Sequence, residues 1–248
     1  MSKKPTGVMG AMPEEISAIL ALLENKQQIP CAGRVYHTGR INGHDVVVVN
    51  SGASKVSAAH TSAALIHKFG AGEIVFTGCA GAISGDLKIG DIVLGKRFIQ
   101  HDIDESLLLP RDADVPILGG IFLEAQPQSL LRAEKSINKL IDDKAFVYKS
   151  DEISITAPRL FIGDISSGDC FIATRAQKDN LRRKLPTVLC VEMEGAAVAQ
   201  VCYENKLPFT VIRTISDAAD HSSPVSFKYF VENVVSKYSA RIIKSFFT

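Results

Sequence analysis

The chain has 248 residues, with 28 Lys and Arg against 27 Asp and Glu, so it can bury a sizeable core and carries no basic block of the kind that binds nucleic acid. Its five cysteines, Cys31, Cys79, Cys170, Cys190 and Cys202, are odd in number and show no C-x-x-C spacing. That argues against a disulfide framework and a zinc site, and predicts reduced, mostly buried thiols. No apolar signal core follows Met1, and no apolar run is long enough to span a bilayer, which makes the cytoplasm the expected compartment.

A β-branched run predicts a strand at 7–9, followed after Pro13 by a helix over 13–23 with Ile16, Ile19, Leu20 and Leu23 on one face. Strands at 35–38 and 46–50 flank Asn42-Gly43, a hairpin signal that makes the sheet mixed. A helix over 55–69, stopped by Gly70, precedes strands at 73–77 and 92–94. The tract 100–128, which begins Gln100-His101-Asp102-Ile103-Asp104 and contains Pro110, Pro116, Gly119, Gly120 and Pro127, is the least periodic; connections of that length are often functional. Then come a strand at 160–163, a charged surface helix over 175–185 and a strand at 188–191. A helix over 195–203, apolar nearly all round and therefore buried, leads to a strand at 209–214 and a closing helix over 227–246. No repeat, low-complexity tract or linker divides the chain. Residues 1–248 read as one α/β domain with helices on both faces of a mixed central sheet.

Three carboxylate-bearing tracts follow apolar strands: Gly10-Ala11-Met12-Pro13-Glu14-Glu15, Val191-Glu192-Met193-Glu194-Gly195, and Arg213-Thr214-Ile215-Ser216-Asp217. In open α/β sheets the carboxyl ends of strands form the ligand crevice. Three carboxylates and an arginine placed there can run an acid–base hydrolysis. Each tract also has a plainer reading. Glu14-Glu15 is an ordinary acidic first helical turn, and Ser216-Asp217, or equally Asp220, is a helix N-cap. Of Glu192 and Glu194 one is structural, since residues two apart need not share an environment once a strand ends; Glu194 is the one expected in the site. The Gly78-Cys79-Ala80-Gly81 tract reads as a turn that lacks either phosphate-loop pattern and lets backbone approach a ligand closely. Cys79 reads as a packing thiol, and Met12 and Phe227 as core residues.

Six tracts in order carry a resemblance: Met9-Gly-Ala-Met-Pro-Glu-Glu15, Thr77-Gly-Cys-Ala-Gly-Ala82, Leu87-Lys-Ile-Gly-Asp-Ile-Val93, Ser167-Gly-Asp-Cys-Phe171, Val191-Glu-Met-Glu-Gly-Ala196 and Ile215-Ser-Asp-Ala-Ala-Asp220. Together they resemble the bacterial 5'-methylthioadenosine/S-adenosylhomocysteine nucleosidases of the purine nucleoside phosphorylase superfamily. The resemblance implies a mixed sheet curling toward a barrel, a homodimer, no metal or other cofactor, and hydrolysis of the N-ribosidic bond of an adenine nucleoside in methionine salvage. Such a cleavage builds an oxocarbenium-like ribosyl group. It needs an acid on the base and an activated water on the opposite face of the sugar. By resemblance Asp217 is the acid acting at purine N7, oriented by Ser216, and Glu15 is the base that activates water. Glu194 binds the ribose hydroxyls, Met193 packs on the sugar, and Arg213 holds the water and carboxylates. Phe171 stacks on adenine and the Ile172 backbone reads its edge, while Met12 and Phe227 lie near the sugar and the 5'-thio pocket. Cys79 stands where many relatives carry Ser, Ala53 where a larger aliphatic is usual, and Glu105 where an apolar residue is common. Those departures bear on the 5' substituent, with 5'-deoxyadenosine and aminofutalosine as alternatives. The competing readings are a phosphorylase of the same superfamily and a non-catalytic nucleoside-binding protein. The loop after His101-Asp102, with Leu107, Leu108 and Leu109, is expected to cross to a second subunit.

Overall fold

The computed structural model describes residues 4–103, 121–217, 219 and 227–248. Its strands are β1 (Thr6–Gly10), β2 (Glu24–Cys31), β3 (Arg34–Ile41), β4 (His44–Asn50), β5 (Glu73–Ala82), β6 (Ile92–Gln100), β7 (Leu123–Glu124), β8 (Tyr148–Lys149), β9 (Ser154–Ile155), β10 (Leu160–Ser167), β11 (Val188–Glu192) and β12 (Phe209–Asp217). The helices are α1 (Pro13–Leu20), α2 (Lys55–His67), α3 (Pro127–Asp142), α4 (Arg175–Lys184), α5 (Gly195–Glu204), α6 (Phe227–Phe230) and α7 (Ser236–Phe246), and a π-helical turn, Val231–Val235, joins the last two.

The main sheet runs β11-β10-β6-β12-β5-β1-β4-β3-β2, and β11 pairs a second time with β5. That extra ladder closes β5, β12, β6, β10 and β11 into a ring, the curl toward a barrel that the resemblance implied. Pairing is mixed, with β12 parallel to β5 but antiparallel to β6. The long strand β5 meets β1 through Glu73 to Phe76 and meets β11 only at Gly81 and Ala82. Between those two ladders one edge of β5, around Cys79, has no strand partner among the described residues. An unpaired buried amide needs an acceptor from elsewhere, and the functional site lies at this gap.

Alternation along the strands builds two cores. Met9, Val47, Val49, Phe76 and Val211 face a layer with Ala58 and Leu65 of α2 and Ala196 to Ala199 of α5. Their neighbours Val8, Val46, Val48, Val75 and Ile212 face a layer with Ile16 and Ile19 of α1, Ala133 and Ile137 of α3, and Tyr238, Ile242 and Ile243 of α7. Helices thus cover both faces. Burial on both sides explains why these strands read as continuous apolar runs. The hairpin turn has Asn42 at φ 48 and Gly43 at φ 77, the positive pair that a two-residue hairpin of this type requires. Gly70, at φ 67, ends α2 as expected.

Differences from the expected elements have local causes. Helix α1 stops at Leu20, not residue 23, because Ala21 caps it and the chain turns into β2. Strand β2, Glu-Asn-Lys-Gln-Gln-Ile-Pro-Cys, carries almost no apolar signal and is mostly exposed. It exists through antiparallel pairing with β3 at the sheet edge, where its Pro30 is tolerated. Helix α3 opens at Pro127, at the end of the least periodic tract, and buries only Ser129, Ala133 and Ile137. The Gly78–Gly81 tract is not a turn; it is the second half of β5. All five cysteines are free thiols, but only Cys190 and Cys202 are buried, while Cys31 and Cys79 are partly covered and Cys170 is exposed. No helix among the described residues is long and apolar enough to cross a membrane. Glu105, Leu107, Leu108, Leu109 and Asp220 lie outside the described residues.

Candidate active site

The ends of β1, β11 and β12 and the unpaired edge of β5 surround a cavity of about 190 Å³. Met12, Glu15, Ala53, Cys79, Phe171, Ile172, Met193, Glu194, Ser216, Asp217 and Phe227 all line it. Arg213, the remaining residue singled out in the sequence, is fully buried in β12.

Glu15 reaches the gap in the β5 ladder from the first turn of α1. Its Oε2 accepts from the amides of Ala11 (2.6 Å) and Met12 (3.0 Å), and Oε1 accepts from the Cys79 amide at 3.1 Å and the Cys79 thiol at 3.5 Å. The carboxylate thus stands where a strand would otherwise pair. Gly78 makes this approach possible, since a Cβ there would lie 2.6 Å from Glu15 Oε1 and 3.0 Å from Arg213 Nη1. Burial raises the Glu15 pKa above its ordinary value, against the opposing pull of Arg213 and the three amides. Burial and the neighbouring Glu15 charge push the Cys79 thiol well up, so it sits protonated beside the carboxylate.

The two glutamates at the end of β11, Glu192 and Glu194, have different partners. Glu192 turns inward: it accepts from Arg213 Nε at 3.2 Å and Nη2 at 2.5 Å, from the Ser167 hydroxyl, and from the amides of Glu194 (3.1 Å) and Gly195 (2.8 Å). Ser167 Oγ in turn accepts from the Ala196 amide at 2.7 Å. The first amides of α5 are therefore satisfied by Glu192 and Ser167. Both glutamates line the cavity, and Glu194 is the more lightly tied: its Oε1 accepts from the Ser54 amide at 3.0 Å and its Oε2 lies 3.9 Å from Arg213 Nη2. Burial first, then the charge of Glu192, push Glu194 up to about 7. Burial opposes charge on Arg213, but Glu192, Glu194 and Glu15 more than offset it and its pKa stays above the ordinary value. The guanidinium also stacks on Phe76, 4.0 Å from the ring centroid.

On the opposite wall Asp217 Oδ2 accepts from Ser216 Oγ at 2.7 Å and Oδ1 from the Ala219 amide at 2.7 Å. Gly81 of β5 backs onto this carboxylate, a Cβ there falling 3.1 Å from Oδ1. Glu15 and Asp217 therefore meet β5 at positions three residues apart, roughly 10 Å along a strand. The mouth is formed by Phe171 and Phe227, whose rings meet edge-on with centroids 6.5 Å apart and are 62% and 43% exposed. Three residues of the site had no warning in their own types: Glu192 as the anchor of Arg213, Ser167 as a helix cap, and Ser54 as an amide donor. Ser167 and Glu192 lay in tracts that stood out in the sequence, but their roles did not.

A barrel-closed mixed sheet with carboxylates gathered at its strand ends defines a class, the phosphorylase superfamily, whose family model matches residues 5–248. The chain is 31% identical over 237 residues to the 5'-methylthioadenosine/S-adenosylhomocysteine nucleosidase of Oceanobacillus iheyensis, covering 96% of both proteins. It is similar to the solved structure of the nucleosidase of that name from Colwellia psychrerythraea in complex with adenine, at 31% identity and a TM-score of 0.85, covering 99% of this chain and 95% of that one. It is also similar to the structure of futalosine hydrolase from Helicobacter pylori, at 32% identity and a TM-score of 0.82, covering 98% and 97%. The chain belongs to the 5'-methylthioadenosine/S-adenosylhomocysteine nucleosidase family.

Proposed function

We propose that the protein, as a single domain of residues 1–248, hydrolyses the N-ribosidic bond of 5'-methylthioadenosine and S-adenosylhomocysteine, releasing adenine and the 5-thioribose product. The observation that carries this is Glu15, a buried carboxylate held by three backbone amides on the cavity wall. A phosphorylase needs cations or free amides there for a dianionic phosphate. A carboxylate that already occupies the amides repels phosphate and favours water.

Adenine lies at the mouth with Phe171 on its face and the Ile172 backbone at its edge. Asp217, oriented by Ser216 and the Ala219 amide, gives a proton to purine N7, which turns adenine into an acceptable leaving group as the C1'–N9 bond breaks. Glu194 accepts from the ribose hydroxyls, with Met193 and Met12 against the sugar. Water held by Glu15 and Arg213 adds its oxygen to C1' and its proton to Glu15. The raised pKa of Glu15 makes it a stronger base once ionised. Cys79 donates to that carboxylate and packs beside the sugar.

Ala53 on the wall near Glu194 is small, and the kinship with futalosine hydrolase makes a bulkier 5' substituent the second reading. Two subunits complete the site in this reading, and the cytoplasm is the compartment. Adenine release from 5'-methylthioadenosine, S-adenosylhomocysteine and aminofutalosine, each in phosphate-free buffer with chelator, tests the reading. Full activity is expected on the first two; strict dependence on phosphate would overturn hydrolysis, and activity on aminofutalosine alone would replace the substrate.

A further inference from the structure

Ser54 is out of the ordinary. It is a non-glycine residue at φ 96 and ψ 155, a conformation that L side chains rarely adopt and that persists only where the surroundings impose it. The strain has a use, because this backbone turns the Ser54 amide onto Glu194 Oε1 at 3.0 Å. The N-cap bond of Ser54 Oγ to the Ser57 amide is long, 3.4 Å, and too weak to impose the geometry alone.

The next residue is tied down from two sides. The Lys55 amide donates to Asp169 Oδ1 at 2.8 Å, and Lys55 Nζ donates to Asp102 Oδ1 at 2.6 Å. Asp102 Oδ2 accepts from the Asp169 amide at 2.9 Å, which closes the circuit. Each bond has a charged partner, and such bonds are stronger than neutral ones. The ion pair alone would contribute little at this partial exposure; its effect comes from joining three segments. One carries Ala53 and Ser54, one begins at His101, and one continues into Phe171 and Ile172. The last segment is seated on His101: a Cβ on Gly168 would lie 2.4 Å from His101 Nε2, and the His101 amide donates to Ser167 O at 2.9 Å.

We propose that Lys55, Asp102 and Asp169 form a clasp that holds Ser54 in its strained conformation and so aims its amide at Glu194, making them positioning residues for the sugar end of the site. The inference rests on the reading of Glu194 as the ribose-binding carboxylate.

The test is a set of double-mutant comparisons. Asp102→Ala removes the acceptor of both Lys55 Nζ and the Asp169 amide, and should lower kcat/KM for adenine release by about tenfold or more, as displacement of a positioning group does. Glycine adopts this backbone without penalty, so in a Ser54→Gly background the same substitution should cost less than about threefold. In a Glu194→Ala background it should cost nothing further, because the acceptor of the Ser54 amide is already lost. An equal loss in all three backgrounds would overturn the clasp. Hydrogen exchange at the Ser54 amide reads the clasp without turnover: Asp102→Ala should speed it, and unchanged exchange would refute the proposal. Should Asp102→Ala fail to fold, Asp169→Ala removes the Lys55 amide acceptor and carries the same expectations. Wild-type protein that releases adenine from no nucleoside would instead sink the nucleosidase reading, with the exchange result still deciding the clasp.

Discussion

Substituting Glu192 and Glu194 one at a time by glutamine separates two carboxylates only two residues apart. Every neighbour of the Glu192 carboxylate is a donor: the Ser167 hydroxyl, the Glu194 and Gly195 amides, and Arg213 Nε and Nη2. Glutamine keeps one acceptor oxygen and turns an NH₂ toward one of those donors, leaving Arg213 buried without its main counter-charge. Removing one partner of a buried pair costs about 3–5 kcal/mol. At ~2.1 cal/mol/K per residue, a chain of 248 residues unfolds with an entropy of about 0.5 kcal/mol/K, so Tm should fall by about 6–10 °C. Glu194 differs, because its pKa near 7 leaves it about half protonated at neutral pH and an amide is then a close mimic. At neutral pH Glu194→Gln should raise Tm by up to about 6 °C, since the amide escapes the cost of holding a buried carboxylate, yet lower kcat/KM by about a hundredfold through lost ribose contacts. Calorimetry and adenine release on both variants give the answer. A Tm for Glu192→Gln within 2 °C of wild type, or an equal drop for both variants, would refute the division of labour.

Glu15→Gln and Asp217→Asn should each lose at least roughly two orders of magnitude in rate while keeping wild-type circular dichroism, and near-normal turnover by either would remove that residue from the chemistry. For stability against pH, Glu194 binds its proton more tightly folded, at about 7, than at its ordinary value of 4.5. The folded state is therefore favoured below that window, and this contribution is lost as pH rises from 4.5 to 7, by at most about 3 kcal/mol. Urea midpoints of wild type should decline against those of Glu194→Gln across the same range; a rising difference would contradict the burial argument. Leu107→Ala with Leu108→Ala should weaken dimerisation and substrate affinity together, and sedimentation showing a stable dimer with unchanged affinity would overturn the shared site.

What the sequence determined by itself was whatever rests on local chemistry. The Asn42-Gly43 hairpin, the Gly70 stop and the buried helix α5 follow from φ preference and apolar pattern over a few residues. The strand-end tracts ending in Glu15, Glu194 and Asp217 could be read because each site residue sits at the edge of a strong apolar run. Tertiary structure decided what depends on distant partners. Strand β2 has no pattern of its own and forms because β3 offers an edge. Gly78 and Gly81 looked like a turn, yet they lie in a strand, bare because the Glu15 and Asp217 carboxylates press against them. That Glu192 is the glutamate bound into the Arg213 cluster was decided by Ser167 and Arg213, lying 25 and 21 residues from it. The same holds for Glu15: its approach to Cys79 exists because β1 ends and β11 begins on either side of one unpaired stretch of β5, a gap created by sheet closure and written in no single segment of the chain.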